Sequence, residues 1–144
     1  MELSEQEIEK LSVLVHALDA KSPRTWDMVG VGVWACRPPI VTRAELHLHR
    51  ETKRRVLFAA YGTGGPRLGN GVELLLTRNV RAPEDCEGSF AGGGADVKLR
   101  GKGYGTGFAM TLPPGKGKPW GASIGLSSPG PSVWFCTYRI AGEW

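Results

Sequence analysis

The chain lacks the patterns that mark several large classes of protein. No apolar run reaches the roughly 18 residues of a membrane-spanning helix, and the first residues are acidic where a secretory signal is basic. The cytoplasm is therefore the default expectation, and secretion stays open if the chain is a processed form. Three cysteines without a CxxC pair argue against a disulfide framework or a zinc knuckle. We expect Cys36, Cys86 and Cys136 to be reduced and structural.

Complete catalytic signatures are also missing from the sequence. No GxSxG elbow occurs, and no cysteine has a histidine close to it along the chain. The segment 101–107 is rich in glycine but has no GxxxxGK[ST] pattern, and a further strand is expected after it. We interpret 101–107 as a tight β turn. These absences favour a non-catalytic protein.

Glycine is the residue that the chain has in excess. The 21 glycines among 144 residues are about twice the usual share, and they cluster between short apolar runs. This spacing predicts many strands joined by turns. The 18 basic and 14 acidic residues give a net charge of +4 but form no polybasic tail. Charge therefore favours anionic partners only modestly.

One amphipathic helix is predicted near the start of the chain. Ser4 and Glu7 have the spacing of a capping box, and Leu3 before the cap can form a hydrophobic staple. We expect a helix over residues 5–20 that packs on the rest of the domain. Its apolar stripe consists of Leu3, Ile8, Leu11, Leu14, Val15 and Leu18.

The rest of the chain has the pattern of eight strands. From residue 28 the apolar period changes to two, or to short runs bounded by glycine and proline. The connection 51–53 is short enough for a hairpin between the second and third strands. The pattern predicts one domain over 1–144, an antiparallel β-sandwich or flattened β-barrel carrying one helix. The strands are expected at 28–36, 41–50, 54–62, 71–80, 95–101, 107–112, 120–127 and 132–141.

Two short segments of the chain echo each other. VWAC at 33–36 and VWFC at 133–136 each put tryptophan and cysteine on one face of a strand. We therefore expect Trp34 and Trp134 in the core. If their strands are neighbours, the first and last strands would close the sheet.

The densest group of chemically active residues lies in the second predicted strand. Alternate positions share a face, so Glu45, His47 and His49 should stand side by side. The HxH pair resembles the metal-binding pair of cupin barrels, although no histidine follows it, and His16 on the helix is the remaining candidate ligand. A metal-binding protein or metal-dependent enzyme holding a divalent transition metal is thus one alternative. The favoured interpretation is a solvated strand face without a tightly bound metal, with the intervening apolar residues turned inward.

Glycine-rich connections on a rigid sheet are common places for binding residues. Three are predicted, at 62–70, 88–94 and 113–119. The favoured function is a non-catalytic recognition module that binds a ligand or a protein partner through these loops. The candidate ligand-binding residues are Trp26, Tyr61, Arg67, Asn70, Phe90, Tyr104 and Trp120.

Basic residues at alternate positions form a candidate anion site. Lys98, Arg100 and Lys102 would lie on one strand face, and Arg54 could join them along a phosphate backbone. No nucleic-acid-binding motif accompanies them, and lysine on an edge strand often prevents aggregation. We favour that structural interpretation.

The layout of a helix before a glycine-rich β domain is similar to that of actinoporin-type pore formers. This resemblance of architecture implies a membrane-active protein as a further alternative. The acidic polar face of the helix favours packing on the β domain instead, because it would repel anionic lipid.

Overall fold

The chain folds into a closed antiparallel barrel of eight strands with a helix against its outer wall. This computed structural model describes residues 3–65, 69–99, 102–127 and 131–143. At strand positions 96–99, 102–104, 126–127 and 131–132 it describes the backbone alone. The elements within these ranges are α1 (Glu5–Lys21), β1 (Met28–Arg37), β2 (Ile40–His49), β3 (Arg55–Gly65), β4 (Gly69–Arg78), a 3-10 helix (Pro83–Cys86), β5 (Gly88–Leu99), β6 (Lys102–Thr111), β7 (Trp120–Ser127) and β8 (Pro131–Glu143).

The strands follow the order β1-β2-β3-β8-β5-β6-β7-β4, and β4 pairs with β1 to close the barrel. The predicted hairpin of β2 and β3 is confirmed, and the N–H of His49 donates to the carbonyl of Arg54 at 2.9 Å. The first and last strands are not neighbours, because β8 lies between β3 and β5. The mainly β class, with about eight strands and one helix, is confirmed, and the architecture is the barrel.

Side-chain alternation along the strands produces two apolar clusters. One fills the barrel interior, where Trp34, Phe58, Phe90 and Tyr138 are buried. The 3-10 helix contributes Cys86 to this cluster, so it plugs the barrel end at which β1, β3, β5 and β7 begin. The other cluster lies outside the barrel, where α1 packs on the outward side chains of β1 and β2: Ile8, Leu11, Val15, Val29, Val31, Leu46 and Leu48.

The helix forms largely as predicted. Ser4 Oγ accepts from the N–H of Glu7 at 3.2 Å, and the Ser4 N–H donates to the Glu7 carboxylate at 3.2 Å, which completes the capping box. Leu14 is an exception to the predicted stripe, since it is 47% exposed. No helix in the described ranges is long and apolar enough to cross a membrane.

Arg50 fastens the end of this helix to the barrel. Its guanidinium donates to the Asp19 carboxylate at 2.7 Å and to the carbonyls of Asp19 and Ser22 at 2.8 and 2.9 Å. It also donates to the carbonyl of Pro23. These bonds join the helix end to the turn between β2 and β3.

Most of the glycine-rich segments are strands rather than loops. Residues 62–65 belong to β3, 69–70 to β4 and 88–94 to β5, whereas 113–119 is a connection as expected. The predicted turn at 101–107 is wrong from residue 102 onward, where β6 begins. Several predicted strands end too early or begin too late for the same reason. The prediction ends strands at glycine, whereas this barrel has glycine inside its strands.

Candidate functional site

The residues Glu45, His47 and His49 face the barrel interior, opposite to the favoured prediction. All three are buried, while Leu46 and Leu48 point outward beneath α1. A sheet with one solvated face places polar residues outside, but β2 is covered on both faces, by the helix and by the barrel interior. The polar face of β2 is therefore a buried interior surface.

Glu45 is the centre of a hydrogen-bonded group in the interior. Its Oε2 accepts from Arg43 Nε at 2.9 Å and from the Tyr138 hydroxyl at 2.5 Å. Its Oε1 lies 2.9 Å from His47 Nε2. A carboxylate with three such partners is held in its ionised form.

Arg43 links this group to a second carboxylate, which lies on β4 beyond β1. Its Nη2 donates to Glu73 Oε2 at 2.7 Å. The guanidinium carbon lies 4.7 Å from the centre of the Trp134 ring, so the indole covers one face of the cation. We call Arg43, Glu45, His47, Glu73 and Tyr138 the charged cluster.

The environment fixes the protonation of two members of the charged cluster. Burial alone would raise the pKa of the Glu45 carboxyl, but the charge of Arg43 and the hydrogen bond from His47 outweigh it and lower the pKa to about 2. Burial raises the pKa of the Tyr138 hydroxyl well above its usual value, and the nearby Glu45 carboxylate raises it further. Tyr138 is thus a protonated hydroxyl that donates a hydrogen bond to an ionised Glu45.

Glycine in the barrel wall makes room for the charged cluster. A Cβ on Gly30 would lie 2.5 Å from Nδ1 of His47, and a Cβ on Gly32 would lie 3.0 Å from Cγ of Glu45. On the other side, a Cβ on Gly92 would lie 2.2 Å from the Trp134 ring. Any larger residue at Gly30 or Gly92 would need these side chains to move.

The charged cluster borders a cavity of about 110 Å³ inside the barrel. It is smaller than an engineered interior cavity of roughly 150 Å³ that binds benzene, so a ligand with a benzyl body must widen it or extend toward its opening. Glu73 keeps 18% of its side chain accessible, so the cluster is not sealed from solvent. The remaining wall is mainly apolar and aromatic, with contributions from Met28, Trp34, Phe58, Phe90 and Trp134.

Two acceptor atoms of the charged cluster have no partner among the described residues. Nδ1 of His47 is buried without a hydrogen bond. When Nε2 carries the proton donated to Glu45, Nδ1 is an acceptor. Oε2 of Glu73 is bonded to Arg43, whereas Oε1 of Glu73 accepts from none of the described residues. The barrel wall at Gly30 covers Nδ1 of His47, so the open acceptor that a ligand in the cavity can meet belongs to Glu73.

The predicted metal site does not form from its three residues. His49 Nε2 lies 2.9 Å from the Val80 carbonyl and its Nδ1 lies 2.8 Å from the Thr52 hydroxyl, so both ring nitrogens are engaged. His16 is exposed on α1. Within the described ranges, no group of three His, Cys, Asp or Glu residues is arranged to hold a metal ion. His49 instead fixes the segment that leads to the 3-10 helix.

The other predicted ligand-binding residues do not converge. Phe90 lies in the interior, while Tyr61 and Asn70 are exposed and Trp26 packs edge-on against Trp120 at the plugged end. Arg67 and the side chain of Tyr104 lie outside the described residues.

The predicted basic face is divided between two strands. Lys98 lies on β5 and Lys102 on β6, and Arg100 falls outside the described residues. Arg54 is exposed and engaged by Glu84 at 2.7 Å and Glu143 at 2.6 Å. β5 pairs with β8 as far as Ala95 and with β6 as far as Leu99, so at Lys98 the edge-strand interpretation stays a prediction.

The three cysteines are free and buried. Burial raises the pKa of the Cys136 thiol to about 11 and that of the Cys86 thiol further still. These thiols are therefore protonated near neutral pH, as a structural role requires.

Sequence reasoning found two members of the charged cluster and missed three. Arg43 has the same strand parity as Glu45, so the alternation that grouped Glu45 with His47 would also have found it. Glu73 and Tyr138 come from β4 and β8, and no local pattern connects them to β2. Neither family models nor curated proteins nor solved structures give a match to this chain.

Proposed function

We propose that this protein binds a small organic molecule inside the barrel. The apolar body of the ligand would occupy the aromatic cavity, and its polar head would meet the charged cluster. In this proposal the protein is a recognition module, as the sequence predicts. Its binding site lies in the barrel interior instead of the glycine-rich loops.

The observation that carries the proposal is a buried charged cluster beside a cavity. Burying a carboxylate and a guanidinium costs several kcal/mol per ion, and apolar residues of equal volume often stabilise a fold as well or better. A cluster retained for stability alone would be packed tightly on all sides. Here the cluster borders empty space with apolar walls, which is the usual composition of a small-molecule site.

The hydrogen bonding favours binding over acid–base catalysis. Glu45 accepts three hydrogen bonds and has a pKa near 2, so it has no proton to give and little tendency to take one. Tyr138 keeps its proton, because its pKa is raised, and donates a hydrogen bond to Glu45. These groups hold a fixed charge pattern, which suits recognition.

Calorimetric titration with benzyl alcohol tests this proposal, with two variants as a matched pair. Ala109 lines the cavity, and Ala109→Leu would fill part of it. Ala91 is on the opposite face of the neighbouring strand, so Ala91→Leu adds the same bulk outside. We expect wild type and Ala91→Leu to bind with a Kd of about 1 mM or lower, and Ala109→Leu to lose at least tenfold. Wild type that binds no benzyl alcohol, or equal binding by both variants, would contradict the proposal.

A further inference from the structure

We infer that the ligand carries a positively charged head that donates hydrogen bonds, such as a primary ammonium group. This inference rests on the proposed function and specifies the chemistry of the same site.

The first support is the charge of the cavity wall. Among its described residues the formally charged side chains are Arg43, Glu45 and Glu73, one positive and two negative, which leaves one negative charge in excess. A buried site with an uncompensated negative charge is stabilised by a cation, because the interaction is screened less there than in water.

The second support is the type of atom that remains open. Glu45 already has three hydrogen-bonding partners, while Oε1 of Glu73 has none among the described residues. A carboxylate oxygen such as this one is an acceptor only. An ammonium group offers three donors and no acceptor, so it complements acceptors of this kind.

The same geometry disfavours an anionic head. Arg43 is the cation that a carboxylate ligand would seek, but its Nε and Nη2 already donate to Glu45 and Glu73. Trp134 covers one face of the guanidinium. A ligand carboxylate would place a third negative group around one positive charge, whereas the aromatic walls of Trp34 and Trp134 attract a cation.

Three ligands with the same benzyl body and different heads test the inference. Benzylamine, benzyl alcohol and phenylacetate are cationic, neutral and anionic at pH 7. We expect wild type to bind benzylamine at least tenfold more tightly than benzyl alcohol, and phenylacetate most weakly, as measured by calorimetric titration.

Glu73→Gln tests the residue assigned to the ligand head. It removes the negative charge with little change of shape, so the affinity for benzylamine should fall at least tenfold and that for benzyl alcohol less than twofold. Glu84→Gln is the control, because Glu84 is exposed and paired with Arg54 outside the cavity. It should leave both affinities unchanged.

The outcomes separate the two proposals. Binding of benzyl alcohol without any preference for benzylamine would overturn the cationic head and leave the proposed function standing. No binding of any of the three would overturn both. If Glu73→Gln does not fold, the ranking of the three ligands on the wild-type protein decides.

Discussion

The pairing of Glu45 with Arg43 shows how single residues determine the interior of this barrel. An isolated buried carboxylate would take up a proton, but the guanidinium, the imidazole and the hydroxyl around Glu45 favour its charged form. The charge pattern of the cavity therefore depends on partners that must all be present. Removing one of them should be detectable as a change in stability and in its dependence on pH.

Glu45→Gln is expected to lower the free energy of unfolding at pH 7 by about 3 kcal/mol, because the buried Arg43 loses one of its two carboxylate partners. The folded-state pKa of Glu45 lies below its usual 4.5, at about 2. Its ionised form therefore stabilises the fold above pH 4.5, and this contribution is lost as the pH falls toward 2.

Denaturant unfolding between pH 7 and pH 2 measures this contribution. The loss of stability below pH 4.5 should be smaller in Glu45→Gln than in wild type. Glu84→Gln serves as control, since its carboxylate is exposed and its pair with Arg54 is screened by solvent. Equal acid sensitivity of Glu45→Gln and wild type would show that the buried pair is not ionised as described.

Gly30→Ala tests the contact between the barrel wall and His47. The added methyl would lie 2.5 Å from Nδ1, so the imidazole must move and its bond to Glu45 must weaken. We expect a cost of about 1–3 kcal/mol, which is typical of overpacking in a core. In Gly65→Ala the nearest atom would be at 3.6 Å, an ordinary contact, so that strand variant should change thermal stability little. Equal melting temperatures of the two variants would refute this role of Gly30.

At the scale of elements, α1 serves as an outer cover of the barrel. It buries the outward side chains of β1 and β2, and Arg50 anchors its C-terminal end. Buried and exposed leucines lie within one turn of each other on this helix. Substituting one of each therefore separates the contribution of packing to stability from that of helix propensity.

Leu11→Ala and Leu14→Ala form a matched pair for this purpose. Leu11 is 8% exposed and Leu14 is 47% exposed, and both substitutions have the same effect on helix propensity. Leu11→Ala should cost about 2–5 kcal/mol in denaturant unfolding, and Leu14→Ala well under half of that. Equal effects would mean that the helix does not pack on the barrel through the face assigned here.

Local elements were the part of the structure that the sequence predicted best. The capping box and the apolar spacing placed α1 to within one residue at its C-terminal end, and the short connection at 51–53 placed the first hairpin. Most of the glycine-rich segments were predicted wrongly, as loops instead of strands. Inside a barrel, glycine provides space for side chains from other strands, as Gly30 does for His47. That use depends on strand pairing, which no local pattern reveals.

At the scale of the whole molecule, closure of the barrel creates the candidate site. An eight-stranded barrel has an interior just wide enough for side chains or one small ligand. Closure brings Glu73 of β4 and Tyr138 of β8 to Arg43 and Glu45 of β2. The sequence shows the alternation in β2 but not which face points inward, because the helix covers the apolar outer face and the polar face lies in the interior.

The tryptophan residues offer the most direct test of interior binding. Trp34 and Trp134 line the cavity, whereas Trp26 lies at the plugged end against Trp120. Their indole N–H signals can be assigned by Trp→Phe substitution and followed by NMR during titration with benzylamine and with benzyl alcohol. Binding in the cavity predicts saturable shifts of the Trp34 and Trp134 signals with an unchanged Trp26 signal. Unchanged Trp34 and Trp134 signals, or a shift confined to Trp26, would contradict a ligand site inside the barrel.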